Sequence, residues 1–473
     1  MSSVQTLKPF LEPSSIAIIG ASKTPGKTGY TIIENLLKYK GKIYPVNPRL
    51  NEILGFKVYP TISDVPDKVD LAIIALPATK VPDVLMECAQ KNVKAAIVVA
   101  QGFLDDGETG KILQNKVDEI IKKTGIRVIG PNSLGVINTS NNLITSFIYF
   151  KKLKKGHVSI IAQTGIFCGA MLMWLSSFDF FGLSKSIDLG NKCDVDDVEV
   201  LEYLNKDPET KLIVIHMEGV KNGRKFLETA KKVTKTKPIL CLKGGKTDVG
   251  ARVVSTHTGS IAGLDQVYDA AFKQAGIVRV NSLNEVLDFI QAFSFSPLPK
   301  GNKVAILTFS GGVGAVVVDL CVENGLRLAK LSDETIKKLE EISPPYVAIS
   351  NPVDVWPAIM SYGVKKAYPI MLKTVLEDPN VDAVISISGH FYMQLPLDWR
   401  TTPETILSVV NGKVKKPLII CTIGEFLNIE ELNKLTRIFN EKGVLYYPSV
   451  ETSVKVLAAL YRYSKYLGYS NKE

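Results

Sequence analysis

Four histidines occur in the 473 residues, and one has neighbours unlike those of a core histidine. Ser255-Thr-His257-Thr-Gly259-Ser260 surrounds an imidazole with small hydroxyl residues and glycine, downstream of the basic, glycine-rich Lys243-Gly-Gly-Lys-Thr247 and Gly250-Ala-Arg252. That is poor core material and good phosphate-loop material. An imidazole nitrogen there can attack phosphorus, with backbone N–H groups stabilising the transferred charge. His157 opens an apolar strand, and His216 and His390 close two apparently equivalent ones, where partial burial with a hydrogen bond is the ordinary state. A phosphohistidine also needs a group to orient its second ring nitrogen and an anion cradle where transfer occurs. Glu218, in His216-Met-Glu218-Gly219 at a strand tip, is the candidate orienting acid, against the commoner role of a solvated loop residue. Gln163-Thr164-Gly165-Ile166, between a strand and an apolar helix, is the candidate cradle, with simple capping by Thr164 as the alternative.

A second anion site is written near the N-terminus. Ile16-Ala-Ile-Ile-Gly20-Ala-Ser22-Lys23-Thr-Pro-Gly26-Lys27-Thr-Gly29 runs from an apolar strand into a helix. Glycine permits close backbone approach, and the helix start offers N–H groups to a phosphate. Part of the turn nearly matches a P-loop, with alanine where the first glycine belongs. A P-loop ATPase also needs a strand ending in a magnesium-binding aspartate. Here the following strands end in Asn47-Pro48, Leu76-Pro77 and Gln101. A nicotinamide fingerprint needs tighter glycine spacing and an acid after the second strand, whereas that strand runs into Asn47-Pro48-Arg49. Arg49, Lys23 and Lys27 suit a nucleotide with an extra phosphate, and both NADP and coenzyme A meet that description.

The elements that position these residues come in three blocks. Short apolar runs alternate with helix-period segments, which argues for parallel sheets with crossover helices and an α/β fold. Strands are expected at Ser15–Gly20, Lys42–Val46, Leu71–Leu76, Ala95–Val99 and Val128–Ile129, then at His157–Ala162, Leu212–Met217 and Pro238–Leu242, and finally at Lys303–Thr308, Ala383–Ser388, Pro417–Cys421 and Val444–Tyr447. The second and third blocks look like copies: Lys206-Asp-Pro-Glu209 parallels Glu377-Asp-Pro-Asn380, and Thr236-Lys-Pro-Ile-Leu240 parallels Lys415-Lys-Pro-Leu-Ile419. The basic run Lys151–Lys155 and the prolines of Phe295-Ser-Pro-Leu-Pro299 put boundaries near residues 150 and 298. The net charge of +10 favours anionic partners, but the lysines are dispersed and no nucleic-acid module is present. Six scattered cysteines without a CxxC pair argue against disulfides and a cysteine-rich metal site. No apolar run approaches the roughly 18 residues of a membrane span, so no membrane association and a cytoplasmic location are expected.

Taken together, the motifs resemble those of the NDP-forming acyl-CoA synthetases, the superfamily that includes succinyl-CoA synthetase, and do so along essentially the whole chain. The most specific are Ser255-Thr-His257-Thr-Gly-Ser-Ile-Ala-Gly263 and Tyr268-Asp-Ala-Ala-Phe-Lys-Gln-Ala-Gly276, supported by Tyr44-Pro-Val-Asn-Pro48, Gly130-Pro-Asn132-Ser-Leu-Gly135 and Ser350-Asn-Pro-Val-Asp354. Departures are small: Thr256 precedes the histidine where many relatives have serine, and Ile261 replaces leucine. The resemblance implies a Rossmann-like CoA-binding domain (1–150), a flavodoxin-like ligase domain carrying the phosphohistidine loop (151–298) and a second flavodoxin-like domain (299–473). It implies that Gly20, Ser22, Lys23, Lys27, Asn47, Pro48, Leu76, Pro77 and Gln101 line the CoA site, and that Asn132 lies near the acyl group. It also implies that Gln163, Thr164, Gly165, Ile166, Gly259 and Ser260 hold phosphate, and that His257 carries it, steadied by Glu218. No metal site is implied on this chain. The three blocks leave no room for an ATP-grasp module, so the resemblance points to an α subunit working with an ATP-grasp β subunit, as α2β2. That partner would bind ADP or ATP with Mg²⁺. The implied reaction is acyl-CoA + ADP + phosphate ⇌ acid + CoA + ATP, with acetyl-CoA as the expected thioester. The alternatives are a succinate–CoA ligase-type subunit and a non-catalytic CoA-binding regulatory protein.

Overall fold

A computed structural model describes residues 3–258, 263–389, 403–423 and 428–469. Three mainly parallel sheets carry the architecture, as the alternation of apolar runs predicts. In the first, the strands lie in the order Lys42–Val46, Ser15–Ile19, Leu71–Ile74, Ala95–Val98 and Arg127–Ile129, all parallel. Ser15–Ile19, Leu71–Ile74 and Ala95–Val98 are buried at every position, because helices cover both faces of such a sheet. In chain order this is 2-1-3-4-5, a doubly wound arrangement.

The second sheet runs Val278–Val280, Ile239–Lys243, Leu212–Met217, Lys155–Ala162 and Leu183–Asp188, then continues antiparallel through Val136–Asn138 and Leu143–Ile144. The third runs Leu445–Tyr447, Leu418–Ile423, Ala383–Gly389, Lys303–Thr308 and Arg327–Leu328, with Val353–Asp354 also paired to Lys303–Thr308. Their five-stranded parallel parts share the chain order 5-4-3-1-2, which supports the internal duplication read from the sequence. Leu183–Asp188 is a strand that apolar patterning misses: all six of its residues are buried, including Ser184, Lys185, Ser186 and Asp188.

Two compact units result. Residues 1–177 and 181–282 form one, and residues 178–180 with 283–473 form the other. Within the first unit the two sheets share an apolar core, with Ile16 and Ile18 in the same cluster as Ile161, Ile187 and Ile213. Asn138 adds a buried tie, its Nδ2 donating to the Leu11 carbonyl at 3.0 Å. The second unit has its own core around Leu307, Tyr368, Ile420 and Tyr446. The helix Leu283–Phe295 belongs to that unit, so the change of unit falls before the Pro297–Pro299 segment.

Candidate functional site

In an open doubly wound sheet, ligands collect where the first and third strands send their crossovers to opposite faces. Every residue expected at the CoA site lies along that edge of the first sheet. Gly20, Ser22, Lys23 and Lys27 follow Ser15–Ile19, Asn47 and Pro48 follow Lys42–Val46, Leu76 and Pro77 follow Leu71–Ile74, and Gln101 follows Ala95–Val98. Gly20 is required: its φ is +94°, and a Cβ would stand 2.3 Å from the Ala75 carbonyl oxygen. The ammonium groups of Lys23 and Lys27 belong to exposed residues. Asn47 braces the edge, its Nδ2 donating to the Ala21 carbonyl at 2.7 Å and its Oδ1 accepting from the Arg49 N–H at 2.8 Å.

The same position in the second sheet lies between the ends of Lys155–Ala162 and Leu212–Met217. Gln163 leaves the first of these strands and Glu218 the second, and both are buried. The two are tied together: Gln163 Oε1 accepts the N–H groups of Glu218 and Gly219 at 3.1 and 3.2 Å. Thr164 stands at the N-cap of the short helix Gly165–Cys168 in an extended conformation, and its side chain makes no capping hydrogen bond. Capping by the threonine hydroxyl is therefore not its role; its carbonyl accepts the Phe167 N–H at 3.2 Å, and the Gly165 and Ile166 N–H groups have no intrahelical acceptor. His216 stacks on Phe167 with ring centroids 4.4 Å apart. Burial, reinforced by Lys192 and Lys243, pulls its pKa down to about 4, so the ring is neutral. Among the described residues, its Nδ1 has no partner for the hydrogen bond expected of a satisfied core histidine.

One cavity of about 240 Å³ gathers residues from separate parts of this arrangement. Gln101 from the CoA edge, Asn132, the Gln163–Ile166 turn and Asp188 all line it. Asn132 enters on a left-handed backbone, with φ of 60°. Asp188 was not singled out from the sequence, where its neighbours Ile187 and Leu189 give no hint of a cavity. A larger groove of about 750 Å³ opens at the opposite edge of the first sheet, beside Ser14, Asp70, Lys94 and Arg127, and contains none of the expected site residues.

The backbone of His257 lies in the last turn of the helix Asp248–Thr258, not in a loop. Gly250 alone does not break that helix, whose first turn begins with an acid suited to the helix dipole. The His257 side chain, Gly259, Ser260 and His390 lie outside the described residues. Among the described residues there is no cluster of three or more His, Cys, Asp or Glu side chains able to hold a metal, and no helix long and apolar enough to cross a membrane.

Residues 14–139 match the CoA binding domain family, residues 155–293 the succinyl-CoA ligase like flavodoxin domain, and residues 304–469 the ligase-CoA domain. Acetate–CoA ligase [ADP-forming] II of Archaeoglobus fulgidus is 42% identical over 98% of this chain and 68% of its own length. The α subunit of acetate–CoA ligase [ADP-forming] I from Pyrococcus furiosus is 39% identical over 98% of both chains. The chain belongs to the ADP-forming acetate–CoA ligase family. Among solved structures of this family, the acetyl-coenzyme A synthetase 1 of Candidatus Korarchaeum cryptofilum, in complex with phosphate and ADP, superposes with a TM-score of 0.85 at 34% identity, covering 98% of both chains. Family membership removes the P-loop and nicotinamide readings of the first glycine-rich turn. That turn lies within the CoA binding domain match.

Proposed function

We propose that this chain is the α subunit of an ADP-forming acyl-CoA synthetase acting on acetyl-CoA or a closely related thioester. The observation that carries the reading is the shared cavity, in which the CoA edge, Asn132 and the Gln163–Ile166 turn meet. In the proposed sequence, CoA lies along the tips bearing Gly20, Ser22, Lys23, Lys27, Asn47, Pro48, Leu76, Pro77 and Gln101, and the acyl group points toward Asn132. A phosphate oxygen held at Gln163–Ile166 attacks the thioester carbonyl carbon. The C–S bond breaks, CoA departs as a thiol with the proton that phosphate gives up, and an acyl phosphate remains. An imidazole nitrogen of His257 then attacks phosphorus, and the phosphorus–oxygen bond to the acyl group breaks to release the carboxylate. Gly259 and Ser260 are assigned to the phosphoryl group, and Glu218 to the second ring nitrogen.

The phosphoryl group passes to ADP on an ATP-grasp β subunit, which supplies Mg²⁺ at the nucleotide. We assign an α2β2 assembly in the cytoplasm and a division of this chain into domains at 1–150, 151–298 and 299–473. The relative from Pyrococcus furiosus, named as an α subunit, supports the need for a partner.

The test uses the chain reconstituted with an ATP-grasp partner. With γ-labelled ATP, one acid-labile, base-stable label should appear on this chain and vanish in His257→Ala, along with ATP formation from acetyl-CoA, ADP and phosphate. Label that persists in His257→Ala would remove the phosphoryl-carrying role of that residue.

A further inference from the structure

Three aspartates of the second sheet and its connections are buried, and they differ in what compensates them. Asp207 receives Lys185 Nζ at 2.7 Å, and Asp197 receives Lys192 Nζ at 2.5 Å. Asp188, wholly buried at the end of Leu183–Asp188, has no lysine or arginine ion pair among the described residues. Its Oδ2 accepts the Leu134 N–H at 2.7 Å and its Oδ1 the Gly190 N–H at 3.3 Å. Yet it is the one of the three that lines the cavity shared by Gln101, Asn132 and the Gln163–Ile166 turn. It stands against that turn: a Cβ on Gly165 would lie 3.9 Å from Asp188 Oδ2.

We propose that Asp188 is a further catalytic residue of this site, a neutral carboxylic acid that donates a hydrogen bond to the phosphate bound in the cavity. The assignment rests on the function proposed above. A buried carboxylate with two N–H donors and no counter-charge is costly, and a dianion arriving beside it adds like-charge repulsion. Taking up one proton removes that repulsion and turns an acceptor into a donor. The groups facing it act in the same direction. Burial, opposed by the Leu134 and Gly190 N–H groups and aided to a smaller extent by the Glu218 charge, pushes the carboxyl up to about 7. The Cys168 thiol, on the helix packed beside it, is itself driven well up by burial and by Asp188, so it adds no charge. Lys192, on the following turn, is engaged by Asp197 and the Gly219 carbonyl. The proton comes from solution when phosphate binds and returns when the site empties, so the overall reaction stays balanced.

Sulfate is the probe, because it is a dianion throughout the range of interest. It is titrated calorimetrically into the complete two-subunit complex carrying His257→Ala, which removes the imidazole's own titration. Sulfate affinity should fall by up to tenfold per pH unit above about pH 7, and should be flat between pH 6 and 9 when Asp188→Asn is added. A flat profile in the parent, or an unchanged slope with Asp188→Asn, overturns the proposal. If Asp188→Asn fails to fold or binds no sulfate, the parent alone decides. Buffers of different ionisation enthalpy should then show about one proton taken up per sulfate at pH 8, and no uptake overturns the proposal. Absence of phosphate-dependent ATP formation by the unmodified complex counts instead against the function itself and is measured separately.

Discussion

Gln163, in the turn proposed to hold phosphate, shows how one side chain can fix the shape of a neighbouring turn. Its Oε1 takes two backbone N–H groups from Glu218 and Gly219, so the side chain that opens one turn fixes the backbone of the next. Those donors would otherwise be buried without acceptors, which costs about 1–3 kcal/mol each. His216, two residues before Glu218, contributes through its aromatic body and not its charge. Its pKa is lowered to about 4 against an ordinary 6.5, so the unfolded chain binds a proton in that window and the folded chain does not. Stability contributed by the neutral ring is therefore present above pH 6.5 and is lost as pH falls toward 4. His216→Phe keeps the stacking on Phe167 and removes the titration. The variant should gain about 3 kcal/mol on the parent between pH 7.5 and pH 4, read from denaturant unfolding at each pH. An unchanged difference across that range would mean that the ring is not held neutral.

Elements were legible from the sequence where burial was uniform and hidden where polar groups were compensated at a distance. Ile16-Ala-Ile-Ile and Leu71-Ala-Ile-Ile announce strands because every side chain enters a core, and their tips carry the site residues to one edge. The positions of Gln163 and Glu218 at neighbouring strand ends were legible for the same reason: each follows an apolar strand whose end could be read. Leu183-Ser-Lys-Ser-Ile-Asp188 does not announce itself. Its Lys185 is buried because Asp207, 22 residues away, meets it at 2.7 Å with Glu209 at 3.5 Å, and Ser186 bonds the Cys168 sulfur at 3.1 Å. Asp188 was missed with the strand that carries it, since the cavity it lines is assembled from five separate chain segments. Lys185→Met should thus cost about 3–5 kcal/mol by leaving Asp207 buried and uncompensated. Adding Asp207→Asn should restore most of that loss, as measured by the midpoint of urea unfolding. Equal destabilisation in the single and double variants would show that packing, not the uncompensated charge, sets the cost.

At the scale of the whole molecule, the three family matches and the two compact units divide the chain differently, and the difference has a physical source. The first two sheets share a core: Leu7 and Phe10 of the N-terminal helix cluster with Val198, Leu201 and Tyr203 of the helix Asp197–Lys206. Cutting near residue 150 would expose that apolar surface on both pieces and sever the ion pairs of Arg127 with Asp194 and Glu199 at 2.7 and 2.6 Å, as well as the buried donation from the Leu134 N–H to Asp188 Oδ2 at 2.7 Å. Cutting at 282 leaves the clusters around Ile16 and around Leu307 each within one piece. Residues 1–282 and 283–473, expressed separately, should each unfold in a single cooperative transition whose denaturant dependence scales with its size. Residues 1–150 and 151–282 should instead bind the hydrophobic dye ANS and melt broadly, because each lacks the other's half of the shared core. Sharp, dye-silent unfolding of 1–150 alone would show that the CoA-binding sheet needs no such support, and that the family boundaries are also the boundaries of folding.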